Sequence, residues 1–287
     1  MRRSGPVEYH RRIWLRLFVV ATFFVIYLPI ITLVIFSFND SKRNVVWRGF
    51  TLKYYEKAWN NASLFEAFTN SLIIAAVTTV IATILGVMVA VMLWRFRFPF
   101  KPAYEGLMAL PIVVPEICMG VAMLAFFNGG VSFFTFGAAD VNLLTIISTW
   151  PSPFNLSAIT AAHVAFTFPF VAIVVRARLG GFNRELEDAS RDLGASEWQT
   201  FWNVIFPYMR PGVVAGALLA FTLSLDDFVI TFFTSGPDTL TFPVKVYSMV
   251  RFSVTPEVNA ASTVLIIITV LVTGVALYLQ SPEKTEN

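Results

Sequence analysis

The chain has 287 residues, 56% of them hydrophobic and 14% charged, and a mean hydropathy of +0.69. Soluble domains carry about a quarter charged residues, so this composition excludes an ordinary soluble fold. A net charge of +3 is too small for a nucleic-acid footprint, and the single cysteine, Cys118, excludes an internal disulfide.

Met1 to Arg16 carries Arg2, Arg3, Arg11, Arg12 and Arg16. The apolar run from Trp14 to Phe38 follows and ends in Asn39-Asp40. A signal peptide has a shorter core and a small-residue cleavage site, so an uncleaved first span is expected. Residues 39–68 mix charge with Trp47, Tyr54, Tyr55 and Trp59 and predict a short surface helix. Further spans are expected at about 69–94, 105–127, 156–176, 211–235 and 258–280, each near the ~20 residues that a bilayer needs. Residues 128–155 are Gly- and Phe-rich with little charge and predict a segment in or dipping into the interface. Residues 236–257 open on Gly236-Pro237 and include Pro243 and Pro256, which predicts turns.

The expected architecture is therefore an all-α polytopic membrane protein with six transmembrane helices and both termini on one side. Fourteen of the 21 Lys and Arg then lie on the side of the termini, and the positive-inside rule puts both termini in the cytoplasm. Trp14 and Trp94 near inner ends, and Trp150 near an outer end, suit an interfacial belt.

The one long polar stretch is Arg176 to Arg210. Leu186, Ala189 and Leu193 fall on one face of a helix, and Trp198, Phe201, Trp202 and Ile205 on one face of a second. Between them, Gly194 suits the left-handed residue that ends a helix. Ser196 and Gln199 have capping-box spacing to start the next, and Pro207 and Pro211 punctuate the return to the membrane. The stretch predicts an amphipathic helix–turn–helix elbow that fits the groove of another protein.

The elbow carries a family resemblance. Asp188-Ala189-Ser190, three residues, Gly194, nine residues and Val204-Ile205-Phe206-Pro207 resemble the EAA loop of bacterial ABC-importer permeases, whose pattern is Glu-Ala-Ala, three residues, Gly, nine residues, Ile-x-Leu-Pro. Asp replaces Glu, Ser the second Ala, Val Ile and Phe Leu; the spacing, the Gly and the Pro are kept. The resemblance implies the type I ABC importer permease fold. It makes the loop of about 177–210 a coupling element that docks on an ATPase subunit, through Asp188, Ala189, Ser190, Gly194 and Pro207.

No catalytic constellation is found. There is no Gly-x4-Gly-Lys-Ser/Thr phosphate loop, no His-Glu-x-x-His and no paired Cys, so neither metal nor cofactor is expected. His10 and His163 are far apart, and His163, inside the fourth span, reads as a packing residue that hydrogen-bonds a neighbouring helix rather than as a pathway residue. Gly212, Gly216 and Ala220 form a small-residue stripe for close helix packing.

Three acids lie within expected spans. A carboxylate at the bilayer centre costs about 2.5–3.5 kcal/mol on insertion scales, so such residues face a cavity or a partner. Glu116 falls mid-way along the third span, between Pro111 and Pro115, and reads as lining a cation path. Asp226 and Asp227 fall in the outer half of the fifth span; adjacent helical residues point about 100° apart, so both cannot face one lumen. For this pair a cation path and a structural ion pair stand level.

A second resemblance covers the chain from first span to last. Phe221 to Phe228 with Thr234-Ser235-Gly236-Pro237, Lys245 to Val250, Thr255 to Ala260, and Ser37-Phe38-Asn39 followed by Trp47-Arg48-Gly49-Phe50-Thr51 are similar to the spermidine/putrescine permeases, above all to the second of the two permease subunits. This implies a subunit of an ATP-driven importer in the bacterial inner membrane that moves polyamines inward along a path including Glu116, Asp226 and Asp227. The implied partners are a second permease in a heterodimer, two ATP-hydrolysing subunits and an external polyamine-binding protein, with no nucleic acid. The expected division is residues 1–66 as tail, first span and external segment, 67–280 as the transporter transmembrane domain and 281–287 as a tail. An importer of another solute such as iron or thiamine is the alternative within the class. A proton-coupled carrier using Glu116 and Asp226 is the alternative outside it, and such a carrier has no need of a groove-fitting elbow.

Overall fold

The computed structural model describes residues 13–41, 46–127, 155–252 and 255–280. The arginines before Ile13, the Gly- and Phe-rich segment with Trp150, and the C-terminal tail lie outside the described residues. The chain divides into two compact units, Met1–Ala62 with Ser248–Ile268 and Ser63–Tyr247 with Thr269–Asn287.

In the first unit, α1 (Ile13–Phe36) is apolar on every side and none of its residues is buried. That is the pattern of a helix made for lipid, and 24 residues rise about 36 Å, enough to cross a hydrocarbon core of about 30 Å. The chain after it is pinned by side chains. Asn39 is fully buried; its Nδ2 donates to the Val46 carbonyl (2.9 Å) and its Oδ1 accepts from the Arg48 N–H (2.8 Å). An antiparallel bridge joins Asn39 to Phe50, and the Phe38 ring stacks on Phe50 and meets Tyr55. The expected surface helix is α2 (Lys53–Trp59).

The second unit begins within α3 (Ala62–Arg95), which starts earlier than the span expected from residue 69. Its 34 residues would rise about 50 Å, so it outruns the hydrocarbon core. Ala75, Thr78, Ala82, Gly86 and Ala90 form a buried small-residue stripe along it. Then come α4 (Lys101–Val113), α5 (Glu116–Ala125), α6 (Leu156–Leu179), α7 (Glu185–Asp192), a single α-turn Glu197–Thr200 and a π-turn Phe201–Ile205. After these run α8 (Phe206–Leu225), α9 (Val229–Thr234), α10 (Phe242–Phe252) and α11 (Pro256–Gln280); α10 and α11 each have ends in both units.

α6 is the centre of this unit. Ala158, Ile159, Ala162, His163, Phe166, Thr167, Val171, Ala172 and Val175 are all buried, and α8 lies along it. The small-residue stripe works as expected. A Cβ on Gly212 would stand 2.9 Å from Arg178 Cβ, one on Gly216 would stand 3.0 Å from Val171 Cγ1, and Ala220 is fully buried. At the other end of α6, Ala158, Ala162 and Phe166 share a core with Phe127 and Ile230.

Five described helices are long and apolar enough to cross a membrane, and the bent pair α4–α5 makes a sixth if counted as one span. This agrees with the expected number, but three local expectations are corrected. The third span is not continuous. Val114 and Pro115 are extended and α4 and α5 meet at 105°, because Pro115 disfavours the helical region for Val114 and itself lacks an N–H. The fifth span ends at Leu225, so Asp226 and Asp227 sit in the break before α9 and not inside a helix. Residues 236–257 are not all turns, since α10 occupies most of them. Pro243 falls in the first turn, where its missing N–H costs nothing, and the Phe242 N–H donates to Ser71 Oγ (2.8 Å).

Candidate functional site

Two arrangements bring the candidate residues together. The first is the elbow. Three acids, Glu185, Glu187 and Asp188, lie in the first turn of α7, at the positive end of its dipole. The helix stops as the sequence predicts. Gly194 has φ +85°, its N–H donates to the Arg191 carbonyl (2.8 Å) and the Ala195 N–H to the Ser190 carbonyl (3.1 Å), the paired bonds of a Schellman ending. Ser196 then forms the full capping box with Gln199. Ser190 Oγ and Thr200 Oγ1 are 3.0 Å apart and tie the two arms together.

The second arm is not a separate helix that ends at Pro207. It runs through the π-turn into α8, with the Phe206 N–H bonded to the Phe201 carbonyl. The wider turn frees the backbone that Pro207 cannot serve and shifts the helical register. Ile205 therefore turns into the core, whereas Trp198 (69% exposed) and Trp202 (43%) face out. Leu186 (52%) and Leu193 (89%) are also uncovered, so the elbow presents leucine and tryptophan outward. Asp188, Ala189 and Pro207 are exposed and Ser190 is half-buried.

Charge fixes the elbow's base. Glu187 Oε1 lies 2.8 Å from Arg95 Nη1 at the end of α3 and 2.9 Å from Arg191 Nη2. Glu197 reaches the same two arginines at 3.6 and 3.3 Å. The Arg184 guanidinium lies over the Trp94 ring, and Arg178 over Tyr208. Glu187–Arg191 is a local i, i+4 pair, but charge patterning along the sequence does not reveal the contacts of Arg95, Arg184 and Arg178, which span thirty positions or more.

The second arrangement is a set of carboxylates at the two helix breaks. Glu116 opens α5 immediately after the 105° bend and is exposed. α5 packs on α9, where Gly120 lets the Phe233 ring approach so closely that a Cβ would stand 2.6 Å from it. Asp226 is exposed and stands in the field of both Asp227 and Glu116. Asp227 is buried. Its Oδ2 accepts from the Thr231 N–H (2.8 Å) and the Thr231 hydroxyl (2.9 Å) and lies 3.3 Å from His163 Nε2. His163 also meets Ser224 Oγ through Nδ1 (2.7 Å) and Thr231 Oγ1 through Nε2 (2.8 Å). The structure thus leaves Glu116 and Asp226 exposed and within each other's field and turns Asp227 inward, and His163 bonds neighbouring helices as expected.

The sequence reading missed the aromatics beside this break. Phe228 lies 4.8 Å from Tyr247 and 5.5 Å from Phe232, ring to ring, and Phe232 and Tyr247 are about half exposed. The i, i+4 spacing of Phe228 and Phe232 was the available signal. Among the described residues, no group of three or more His, Cys, Asp or Glu is placed to hold a metal ion.

Known proteins resemble this chain in sequence and in fold. Residues 82–281 match the family described as binding-protein-dependent transport system inner membrane component. The spermidine/putrescine transport system permease protein PotC of Escherichia coli (strain K12) is 37% identical over 271 residues, 94% of each chain. The putrescine transport system permease protein PotI of the same strain is 36% identical over 275 residues, 96% of this chain and 93% of that one. Among solved structures, a bacterial ABC transporter involved in the import of the acidic polysaccharide alginate matches with a TM-score of 0.72 at 14% identity, over 97% of this chain and 98% of that one. Both sequence relatives are transport permeases rather than enzymes. The chain belongs to the family of inner-membrane components of binding-protein-dependent transport systems.

Proposed function

We propose that this chain is one permease subunit of an ATP-driven importer that moves polyamines into the cytoplasm. The observation that carries this reading is the 37% identity to the spermidine/putrescine permease PotC over 94% of both chains. The fold alone says nothing of cargo, since a similar fold serves an acidic polysaccharide in the alginate transporter.

The local chemistry supports a cationic cargo. Glu116 and Asp226 offer two exposed carboxylates at the helix breaks, and Phe232 and Tyr247 offer ring faces beside them. Carboxylate and ring each attract an ammonium group, at a strength suited to passage rather than retention. The chain carries no phosphate-binding loop, so ATP hydrolysis falls to separate subunits. The elbow, with Leu193, Trp198 and Trp202 uncovered, is the part that docks on them. The distribution of Lys and Arg supports a cytoplasmic position for the elbow and both termini. A second permease completes the pathway and an external binding protein delivers the cargo. Alternating access requires an element with two states that ATPase and cargo both bias, and the elbow with its ion-paired base is that element.

The test is ATPase stimulation of the reconstituted complex by binding protein loaded with spermidine, putrescine, thiamine or iron. Stimulation by a polyamine-loaded protein alone is expected. Stimulation only by thiamine or iron would refute the cargo, and purification of a transport-competent chain without any ATPase would refute the importer.

A further inference from the structure

The break between α8 and α9 holds two adjacent aspartates with opposite fates, and one buried imidazole lies against both sides of it. Ser224 belongs to the last turn of α8 and Thr231 to α9. His163 of α6 reaches both, at 2.7 and 2.8 Å, and reaches Asp227 between them at 3.3 Å. His163, Ser224, Asp227 and Thr231 are all more than nine-tenths buried.

The hydrogens in this network can be assigned from its partners. The Thr231 hydroxyl hydrogen goes to Asp227 Oδ2, so Thr231 Oγ1 can only accept from His163. Nε2 therefore carries a hydrogen, which Thr231 Oγ1 and Asp227 Oδ2 share. Asp227 also accepts from the Thr231 and Ile230 N–H groups, which fixes it to the first turn of α9. Asp227 is committed inward, whereas its neighbour Asp226 is exposed, in the field of Glu116.

We propose that His163 is a positioning residue for transport. By stapling both sides of the helix break to α6, it selects Asp226 rather than Asp227 as the carboxylate offered to the cargo. This rests on the reading of Glu116 and Asp226 as pathway residues.

The test uses the full importer in proteoliposomes, with a Cys118→Ser permease. Asp226→Cys should react with a cationic methanethiosulfonate at least about tenfold faster than Asp227→Cys, because a thiol held inward is shielded. His163→Leu should narrow that ratio to about twofold or less and raise the apparent KM for spermidine by roughly tenfold, a loss that removal of one transient charge contact supplies. His163→Gln returns an N–H to the Nε2 position and should recover most of both. The milder Ser224→Ala and Thr231→Val, each removing one partner, should shift KM in the same direction if His163→Leu fails to assemble. An unchanged KM and labelling ratio in assembled His163→Leu overturns the proposal. So does a wild-type KM in both milder variants. Asp226→Asn separates the two levels. If it leaves uptake unchanged, the pathway reading itself fails; if it raises KM while the His163 variants do not, only the staple fails.

Discussion

Val171 of α6 is clasped between two glycines, Gly86 of α3 and Gly216 of α8. A Cβ on Gly86 would stand 2.6 Å from Val171 Cβ and 2.9 Å from the Phe168 carbonyl, and one on Gly216 3.0 Å from Val171 Cγ1. Three helices thus meet with no room for a methyl group. Gly86→Ala should destabilise the subunit by about 1–3 kcal/mol, the usual cost of overpacking. In a Val171→Ala background Gly216→Ala should cost less than half of what it costs alone, because its nearest neighbour, Val171 Cγ1, is gone. Thermal unfolding of the detergent-solubilised complex measures both, and additive effects would contradict the clasp.

Gly194 gives a second prediction with a different physical origin. No atom lies within 4 Å of a Cβ built there, so bulk within this subunit is not the issue. Its φ of +85° is, at about 1–2 kcal/mol for an L-residue other than Asn or Gly. Gly194→Asn should therefore couple nearly as the wild type does, whereas Gly194→Leu should uncouple uptake from ATP hydrolysis or prevent ATPase docking. Membrane insertion should be normal in both. Wild-type transport by assembled Gly194→Leu would refute the coupling role of this turn.

How much of this was legible in the sequence depended on whether the cause was local. The Gly194 ending and the Ser196–Gln199 box are set within a few residues, and both formed as predicted. The helix breaks were only half legible. Pro115 marked the first, but the second falls at Asp226-Asp227-Phe228, where no Pro or Gly stands and the break is held by His163, more than sixty positions away. Likewise Ile205 parts from Trp198 and Trp202 across a π-turn that apolar periodicity, counted at 3.6 residues per turn, does not contain.

Arg95 and Glu187 join the end of α3 to the elbow at 2.8 Å, with side chains 24% and 12% exposed. Removing Arg95 leaves Glu187 with Arg191 alone. Arg95→Glu sets like charges together in a partly dry site and should reduce coupled ATPase stimulation by roughly tenfold, the effect of about 1.4 kcal/mol. The double exchange Arg95→Glu with Glu187→Arg should recover at least a third of the loss. Failure of the exchange to recover anything, with subunit levels unchanged, would show that this pair does not transmit force between α3 and the elbow.

Topology can be tested at two exposed positions, again in a Cys118→Ser background because Cys118 is itself exposed. Ser63→Cys should be labelled from outside in intact cells by an impermeant maleimide. Leu193→Cys, at the elbow's most open apolar residue, should be labelled only after the cytoplasmic face is exposed, and ATPase subunits should protect it. The opposite pattern would overturn the N-inside topology and the docking proposal with it.

Glu116 offers the test of the proposed cargo. It has no basic residue within its own helix pair after Lys101, and it stands exposed at the first turn of α5, beyond the Pro115 bend. A carboxylate at such a break must be met by solvent or by a cation from across the path. Glu116→Gln keeps the shape and some hydrogen bonding but removes the charge. Polyamine uptake should fall roughly tenfold, the ~1.4 kcal/mol of one modest charge contact. The affinity of the external binding protein and the assembly of the complex should not change. Glu116→Lys should abolish uptake, because an ammonium group at the break would repel the cargo. Radiolabelled spermidine and putrescine uptake, with subunit levels checked by blot, separates the outcomes. Normal uptake by Glu116→Lys would remove this acid from the path, and a loss that tracks missing protein would make it a structural partner of a neighbouring subunit.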